Sequence, residues 1–279
     1  MMTQPPTKGF RVCSFCEHRF VQRLRACPRC GTSSQVDVKT HQDGVTTLLS
    51  EVAVKPVQRI ATGPWDICFG PANDRDPNGV AVTSCNLIGG CPGAGKSTFS
   101  LQLSDALAKQ TDRETLYICA EEDLDQVGDR AYRLGVSSLS KIRGMPTLSN
   151  PEALGQLESI ILKHKPSAVI LDSIEGLMGK DKDGAVELCK IFKGLTSKYR
   201  FPSFIIDHVT KVDDFAGLMS LQHAPDGTFT LFPEEQDGNV RVLETQKNRF
   251  GRAFVRCRML MTERGLIAIG DDEKVSHDD

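Results

Sequence analysis

No stretch of this 279-residue chain approaches the roughly 18 uninterrupted apolar residues of a membrane-spanning helix, so no membrane partner is expected. The opening residues, MMTQPPTKGF, lack the apolar core of a secretory signal, which points to the cytosol: bacterial, or that of a host if the chain is phage-encoded. A strong charge of either sign is also missing. With a formal net charge of -2 there is no global basic field to gather nucleic acid, and any such binding must come from local patches. No internal repeat is visible. A composition of 39% hydrophobic and 25% charged residues excludes disordered and fibrous classes.

Cysteine, by contrast, is plentiful: ten residues, four of them in close pairs and six scattered singly through apolar segments. In a chain without a secretory signal this favours metal binding plus buried thiols over disulfides. Cys13-x2-Cys16 and Cys27-x2-Cys30, ten residues apart, can supply four thiolates to one tetrahedral zinc (Zn2+). A closed four-sulfur shell leaves no position for substrate, so the ion is expected to be structural; iron in a rubredoxin-like site and a redox dithiol are the alternatives. Four sulfurs suffice, which leaves His18 as a surface residue. This module also holds the one basic patch: between residues 8 and 30, six cations (Lys8, Arg11, Arg19, Arg23, Arg25, Arg29) stand against Glu17.

The chain divides into a tail (1–9), the cysteine module (10–33), a polar connector (34–58), a large domain (59–271) and an acidic tail (272–279). Within the large domain, short apolar runs (82–90, 115–122, 167–173, 202–210) alternate with amphipathic stretches of helical length (97–109, 151–165, 184–199). This pattern predicts an α/β domain with a mainly parallel sheet covered on both faces. Beyond residue 226 several strand-like pieces (GTFTLFP, NVRVLETQ, AFVRCRMLMT, GLIAIG) predict antiparallel additions at one end of that sheet.

Residues 90–97 fit the phosphate-loop pattern GxxxxGK[ST] between an apolar strand and an amphipathic helix. The loop residues Gly90, Cys91, Pro92, Gly93, Ala94 and Gly95 would wrap backbone N–H groups around phosphate oxygens. Lys96 would reach the terminal phosphates of ATP, Ser97 would ligate Mg2+, and Thr98 continues the helix start. Asp172, which ends the run AVILD, is the expected metal-bridging carboxylate. For the attacking water, Glu121 is the first candidate base and Glu122 the second, and with Asp123 both also suit a helix start. His208, beyond a third apolar run, is placed to sense the γ-phosphate or to serve as a structural histidine.

With LYICAEE (116–122), VILDSIEGL (169–177), HVTK (208–211) and KNRFG (247–251), and with the cysteine module ahead of the phosphate loop, the chain resembles the bacterial RadA (Sms) DNA-repair helicases, relatives of RecA and the DnaB helicases. The resemblance covers roughly residues 10–270. It implies a RecA-like P-loop ATPase core behind a zinc ribbon. It also implies a DNA-dependent ATP hydrolase and helicase that assembles as a homo-oligomeric, hexameric ring, acts on single-stranded or branched DNA and meets recombinase or replication proteins. Lys247 and Arg249 match the family's basic KNRFG positions and would face the nucleotide of a neighbouring subunit. Read from the residues alone, the same segment is equally a basic turn between two strands.

Three departures stand out. Asp207 occupies the position where the family has Gly before HVTK, residues 64–80 look expanded, and the family's Lon-protease-like domain has no counterpart among these residues. In RecA-type motors the DNA-facing loops would be 175–185 and 211–223, with Lys180, Lys182 and Lys211 as phosphate contacts. Phe215 is the only aromatic in either, so sequence-specific base reading is not expected. A non-motor regulatory ATPase of KaiC type and a DNA-binding recombination mediator are the competing functions.

Overall fold

In the computed structural model the described residues are 10–12, 19–21, 56–73, 76–147, 155–179, 181–207 and 223–270. The chain forms two units, Met1–Lys55 and Pro56–Asp279. In the first, β1 (Phe10–Val12) pairs antiparallel with β2 (Arg19–Val21), Phe10 opposite Val21. Cys13, Cys16, Cys27 and Cys30 lie outside the described residues, as do Lys180, His208 and Lys211; Lys182 is described in its backbone only.

The second unit opens with β3 (Arg59–Ile60), α1 (Asp66–Phe69) and β4 (Val80–Ala81), the two strands forming a small antiparallel pair. Its centre is a nine-stranded sheet. Four strands are buried along their whole length: β5 (Cys85–Gly89), β6 (Thr115–Cys119), β8 (Ala168–Asp172) and β9 (Ser203–Ile206). Uninterrupted apolar strands of this kind need cover on both faces, and the helices provide it. On one side, α2 (Lys96–Lys109) packs Phe99, Leu103 and Leu107 against Ile88, Tyr117, Ile170 and Phe204, together with residues of α3 (Leu124–Arg133). On the other, α4 (Leu157–His164) and α6 (Lys182–Tyr199) pack Ile161, Leu188 and Phe192 against Leu87, Leu116, Val169 and Ile205. Alternate residues of each strand thus feed two separate cores.

Five further strands complete the sheet: β7 (Ile142–Pro146), β10 (Gly227–Pro233), β11 (Val240–Asn248), β12 (Arg256–Thr262) and, at one edge, β13 (Gly265–Ile269). The order is β13-β12-β11-β10-β5-β9-β8-β6-β7. Two expectations are corrected. The piece GTFTLFP is not an antiparallel addition, because β10 runs parallel to β5, Gly227 opposite Asn86 and Thr230 opposite Gly89. The connection after β9 returns the chain to the edge where β5 begins, so only β11, β12 and β13 alternate in direction. Nor is 175–185 simply a loop. The Ser173 hydroxyl caps α5 (Ile174–Met178) by accepting from Gly176 N, and the Asp181 carboxylate caps α6 by accepting from Gly184 N.

Candidate nucleotide-binding site

Strand β5 and helix α2 hold the phosphate loop between them. Gly93 (φ 78°) and Gly95 (φ 95°) adopt left-handed backbone that a side chain would strain, and at Gly90 a Cβ would come within 2.2 Å of the Leu231 carbonyl oxygen on β10. The glycine spacing therefore reflects both curvature and close packing. Lys96 is 4% exposed, and its ammonium donates to the carbonyls of Gly90 (2.7 Å) and Cys91 (3.0 Å). Burial lowers its pKa, opposed by Cys91, Asp172, Glu121 and Asp207. The lysine thus sits over its own loop, within electrostatic reach of Asp172, Glu121 and Asp207.

Asp172 ends β8 on the same edge of the sheet and is 7% exposed. Its Oδ2 accepts a 2.6 Å hydrogen bond from the Tyr117 hydroxyl and a longer one, 3.4 Å, from Ser100, whose hydroxyl lies 2.8 Å from that of Tyr117. Oδ1 is buried without a hydrogen-bond partner. Burial raises the Asp172 pKa, with Glu121 and Glu122 adding to the rise, while the Tyr117 and Ser97 hydroxyls lower it. A buried carboxylate with one oxygen anchored and the other unpaired is an incomplete site by the ordinary cost of burying polar groups. A divalent cation would complete it. Among the described residues no cluster of three or more His, Cys, Asp or Glu could hold a metal by itself. Mg2+ is commonly bound through one or two protein oxygens plus substrate phosphates. Ser97 and Asp172 fit that donor set.

Glu121 and Glu122 follow β6 into the same cleft, which Ser97, Tyr117 and Asp172 also line. Their partners separate them. Glu122 forms a two-pronged ion pair with Arg130 on α3, at 2.6 and 2.5 Å, and so is committed to a fixed cation. Glu121 is exposed and accepts a 2.5 Å hydrogen bond from the neutral Ser173 hydroxyl. Asp123 begins α3, its N–H donating to the Gln126 side chain. Asp207, 7% exposed, follows β9 at this edge.

Lys247 and Arg249 are elsewhere. Asn248 pairs with Gly227, which pairs with Asn86 near the start of β5, whereas the phosphate loop follows Gly89 at its end. KNRFG therefore lies at the opposite edge of the sheet, with roughly 10 Å of strand at about 3.3 Å per residue in between. Asn248 and Gly251 are structural. The Asn248 amide donates to the Cys68 carbonyl and its oxygen accepts from Phe250 N, while a Cβ on Gly251 would come within 2.0 Å of the Gly70 carbonyl oxygen. The two cations are held by the residues just before β10. Lys247 donates to the Pro225 carbonyl at 2.9 Å, and Arg249 lies 3.3 Å from the Asp226 carboxylate. Tyr117, Ser100 and Asp226 were not among the expected site residues. A serine or tyrosine inside an apolar strand or helix carries no pattern of its own, and only the fold brings them to the carboxylates and cations.

No family model matches the chain. It is 31% identical over 284 residues to the DNA repair protein RadA of Streptococcus pyogenes serotype M6, covering 96% of this chain and 61% of that protein. The corresponding values are 30% over 292 residues for the DNA repair protein RadA of Bacillus subtilis (94% and 60%) and 28% over 271 residues for that of Aquifex aeolicus (91% and 58%). The chain thus spans about three fifths of the length of these curated relatives. Among solved structures, the KaiC-like protein PH0186 from Pyrococcus horikoshii superposes with a TM-score of 0.61 at 15% identity, covering 77% of this chain and all of that one. That likeness establishes the RecA/KaiC-like fold.

Proposed function

This chain is a relative of the bacterial DNA repair protein RadA along nearly all of its length, and from that premise we propose that it is an ATP-driven motor on single-stranded or branched DNA, serving recombination, repair or replication. The observation that carries the proposal is the division of the catalytic parts between two edges of one sheet. Lys96, Ser97, Asp172 and Glu121 meet at one edge, while Lys247 and Arg249 stand at the other. Among the described residues Lys96 is the cation placed on the phosphate loop, and a neighbouring copy presenting its opposite edge would bring a second. Assembly, as a ring of six by the family resemblance, then becomes a condition of turnover.

When bound, Mg2+·ATP supplies the phosphoryl group and the charge that neutralises it. The chain's own residues do the rest. The phosphate loop holds the triphosphate by backbone N–H groups, Lys96 exchanges its two carbonyl partners for phosphate oxygens, and Ser97 and Asp172 hold the cation. Tyr117 fixes which Asp172 oxygen faces it. Glu121 accepts the proton of the attacking water, and Ser173 keeps its carboxylate aimed into the cleft. His208 is assigned to sensing the γ-phosphate, and Lys180, Lys182 and Lys211 to the DNA backbone.

The test is ATPase activity with and without single-stranded DNA, followed by strand displacement with and without ATP. Stimulation by DNA and ATP-dependent displacement are expected. Turnover indifferent to DNA would point instead to a regulatory ATPase, and DNA binding without displacement to a recombination mediator.

The four-cysteine module is assigned one structural zinc. Elemental analysis of freshly reduced, unchelated protein should return about one zinc per chain, the stoichiometry of a closed four-thiolate shell. Iron in its place, or no metal, would refute the assignment. Replacing Cys27 with Ser should loosen residues 10–33 without unfolding the ATPase unit, which has its own core.

A further inference from the structure

We infer that Asp226 is a positioning residue that holds Arg249 ready for the nucleotide of a second copy, an inference that rests on the reading of Arg249 as a cation supplied in trans. Asp226 is 4% exposed, yet three elements converge on its carboxylate. From β5 comes the Cys85 N–H (3.2 Å), from α6 the Lys193 ammonium (2.7 Å) and from the KNRFG turn the Arg249 guanidinium (3.3 Å). The backbone closes the same knot. Arg249 N–H donates to the Asp226 carbonyl at 3.0 Å, and Asp226 N–H donates to the Cys85 carbonyl at 2.7 Å. Arg249 is thereby fixed both at its backbone and at one nitrogen of its guanidinium, while its side chain stays 53% exposed. An arginine carries five N–H donors in a rigid fork, so one prong can be anchored while the rest project outward. Pre-ordering a long side chain removes an entropy cost that the reaction would otherwise bear.

The competing account makes Asp226 only the counter-ion of Lys193, which shares the same oxygen and also donates to the Ala224 carbonyl. The two accounts diverge on which cation matters. If Asp226 acts through Arg249, Lys193 is dispensable for turnover. If the cluster merely ties α6 to the sheet, removing either partner harms the fold and activity alike.

The experiment uses the full chain with Asp226→Asn, which keeps the shape and removes the charge. Alone, this variant should retain ATP binding, because its phosphate loop is intact. It should lose turnover by roughly 10- to 100-fold, the scale of a misplaced catalytic group. Mixed oligomers, verified by native mass measurement, then locate the defect. Activity should return on mixing with Lys96→Ala chains, whose Arg249 is intact, and should not return on mixing with Arg249→Ala chains. Wild-type turnover by Asp226→Asn alone, or rescue by Arg249→Ala chains, overturns the proposal. So does failure of rescue by Lys96→Ala under conditions where Arg249→Ala plus Lys96→Ala recovers. If that reference pair itself does not recover, it is the trans reading that has failed. Should Asp226→Asn not fold, Lys193→Met decides. ATPase retained with the Asp226–Arg249 pair alone supports positioning, and loss to the level of Arg249→Ala overturns it.

Discussion

Lys96→Ala is expected to abolish ATP binding and hydrolysis together, whereas Glu121→Gln should keep ATP while turning over roughly 10²- to 10⁴-fold more slowly, the usual range for a general base. The contrast follows from where the two side chains sit. Lys96 is buried over the phosphate loop with its ammonium on the Gly90 and Cys91 carbonyls, where, on the proposed reading, its charge serves nucleotide binding as well as hydrolysis. Its removal also takes a positive charge away from those carbonyls and from the neighbourhood of Asp172, Glu121 and Asp207. Glutamine at 121 can still accept the Ser173 hydrogen bond, so the cleft keeps its shape and only the proton acceptor is lost. Equilibrium binding of a fluorescent ATP analogue beside steady-state turnover checks both at once. Near-normal turnover in Glu121→Gln would move the role to Glu122, which must then leave its pairing with Arg130.

The phosphate loop was legible because its chemistry dictates spacing: glycines where the backbone turns or packs closely, lysine and serine at the helix start. The place of Asp172 at the end of β8 was legible because a charged residue closing an apolar run is conspicuous. Other parts were not, for physical reasons. The piece that became β10 is buried on both faces like the central strands, and an apolar run does not record the direction in which it is traversed. Strand β7, IRGMP, has no apolar periodicity at all and takes its form from pairing with β6. The helices within 175–185 rest on two caps, Ser173 and Asp181, in a stretch whose glycines and lysines read as loop. Tyr117 and Asp226 look like ordinary strand and turn residues until the sheet order sets one beside Asp172 and the other beside Arg249. The sequence already ranks Glu121 before Glu122, but the ion pair of Glu122 with Arg130, on the helix that follows, could not be read from it.

Mixing Arg249→Ala chains with Lys96→Ala chains should yield more ATPase than the sum of the two variants alone. On the proposed reading, an assembly of either variant alone is deficient at every interface, one in its cation and the other in its phosphate loop. A mixed assembly contains some interfaces that join the intact phosphate loop of one chain to the intact Arg249 of the next. The geometry behind this is the strand register. Asn248 aligns through Gly227 with Asn86, while the phosphate loop follows Gly89, so within one chain Arg249 stands at the wrong edge of the sheet to reach its own site. In related phosphoryl-transfer enzymes a cation laid on the developing charge is worth about 10³- to 10⁵-fold in rate, so even a small fraction of repaired interfaces should be measurable. Lys247→Ala in place of Arg249→Ala assigns the larger share to one cation or the other. No recovery, with mixed oligomers demonstrated by mass, would count against supply in trans. Normal basal hydrolysis by Arg249→Ala that no longer responds to DNA would instead make KNRFG a coupling element. The catalytic edge would keep its assignment under that result, and the opposite edge would become the place where DNA binding and neighbouring sites communicate.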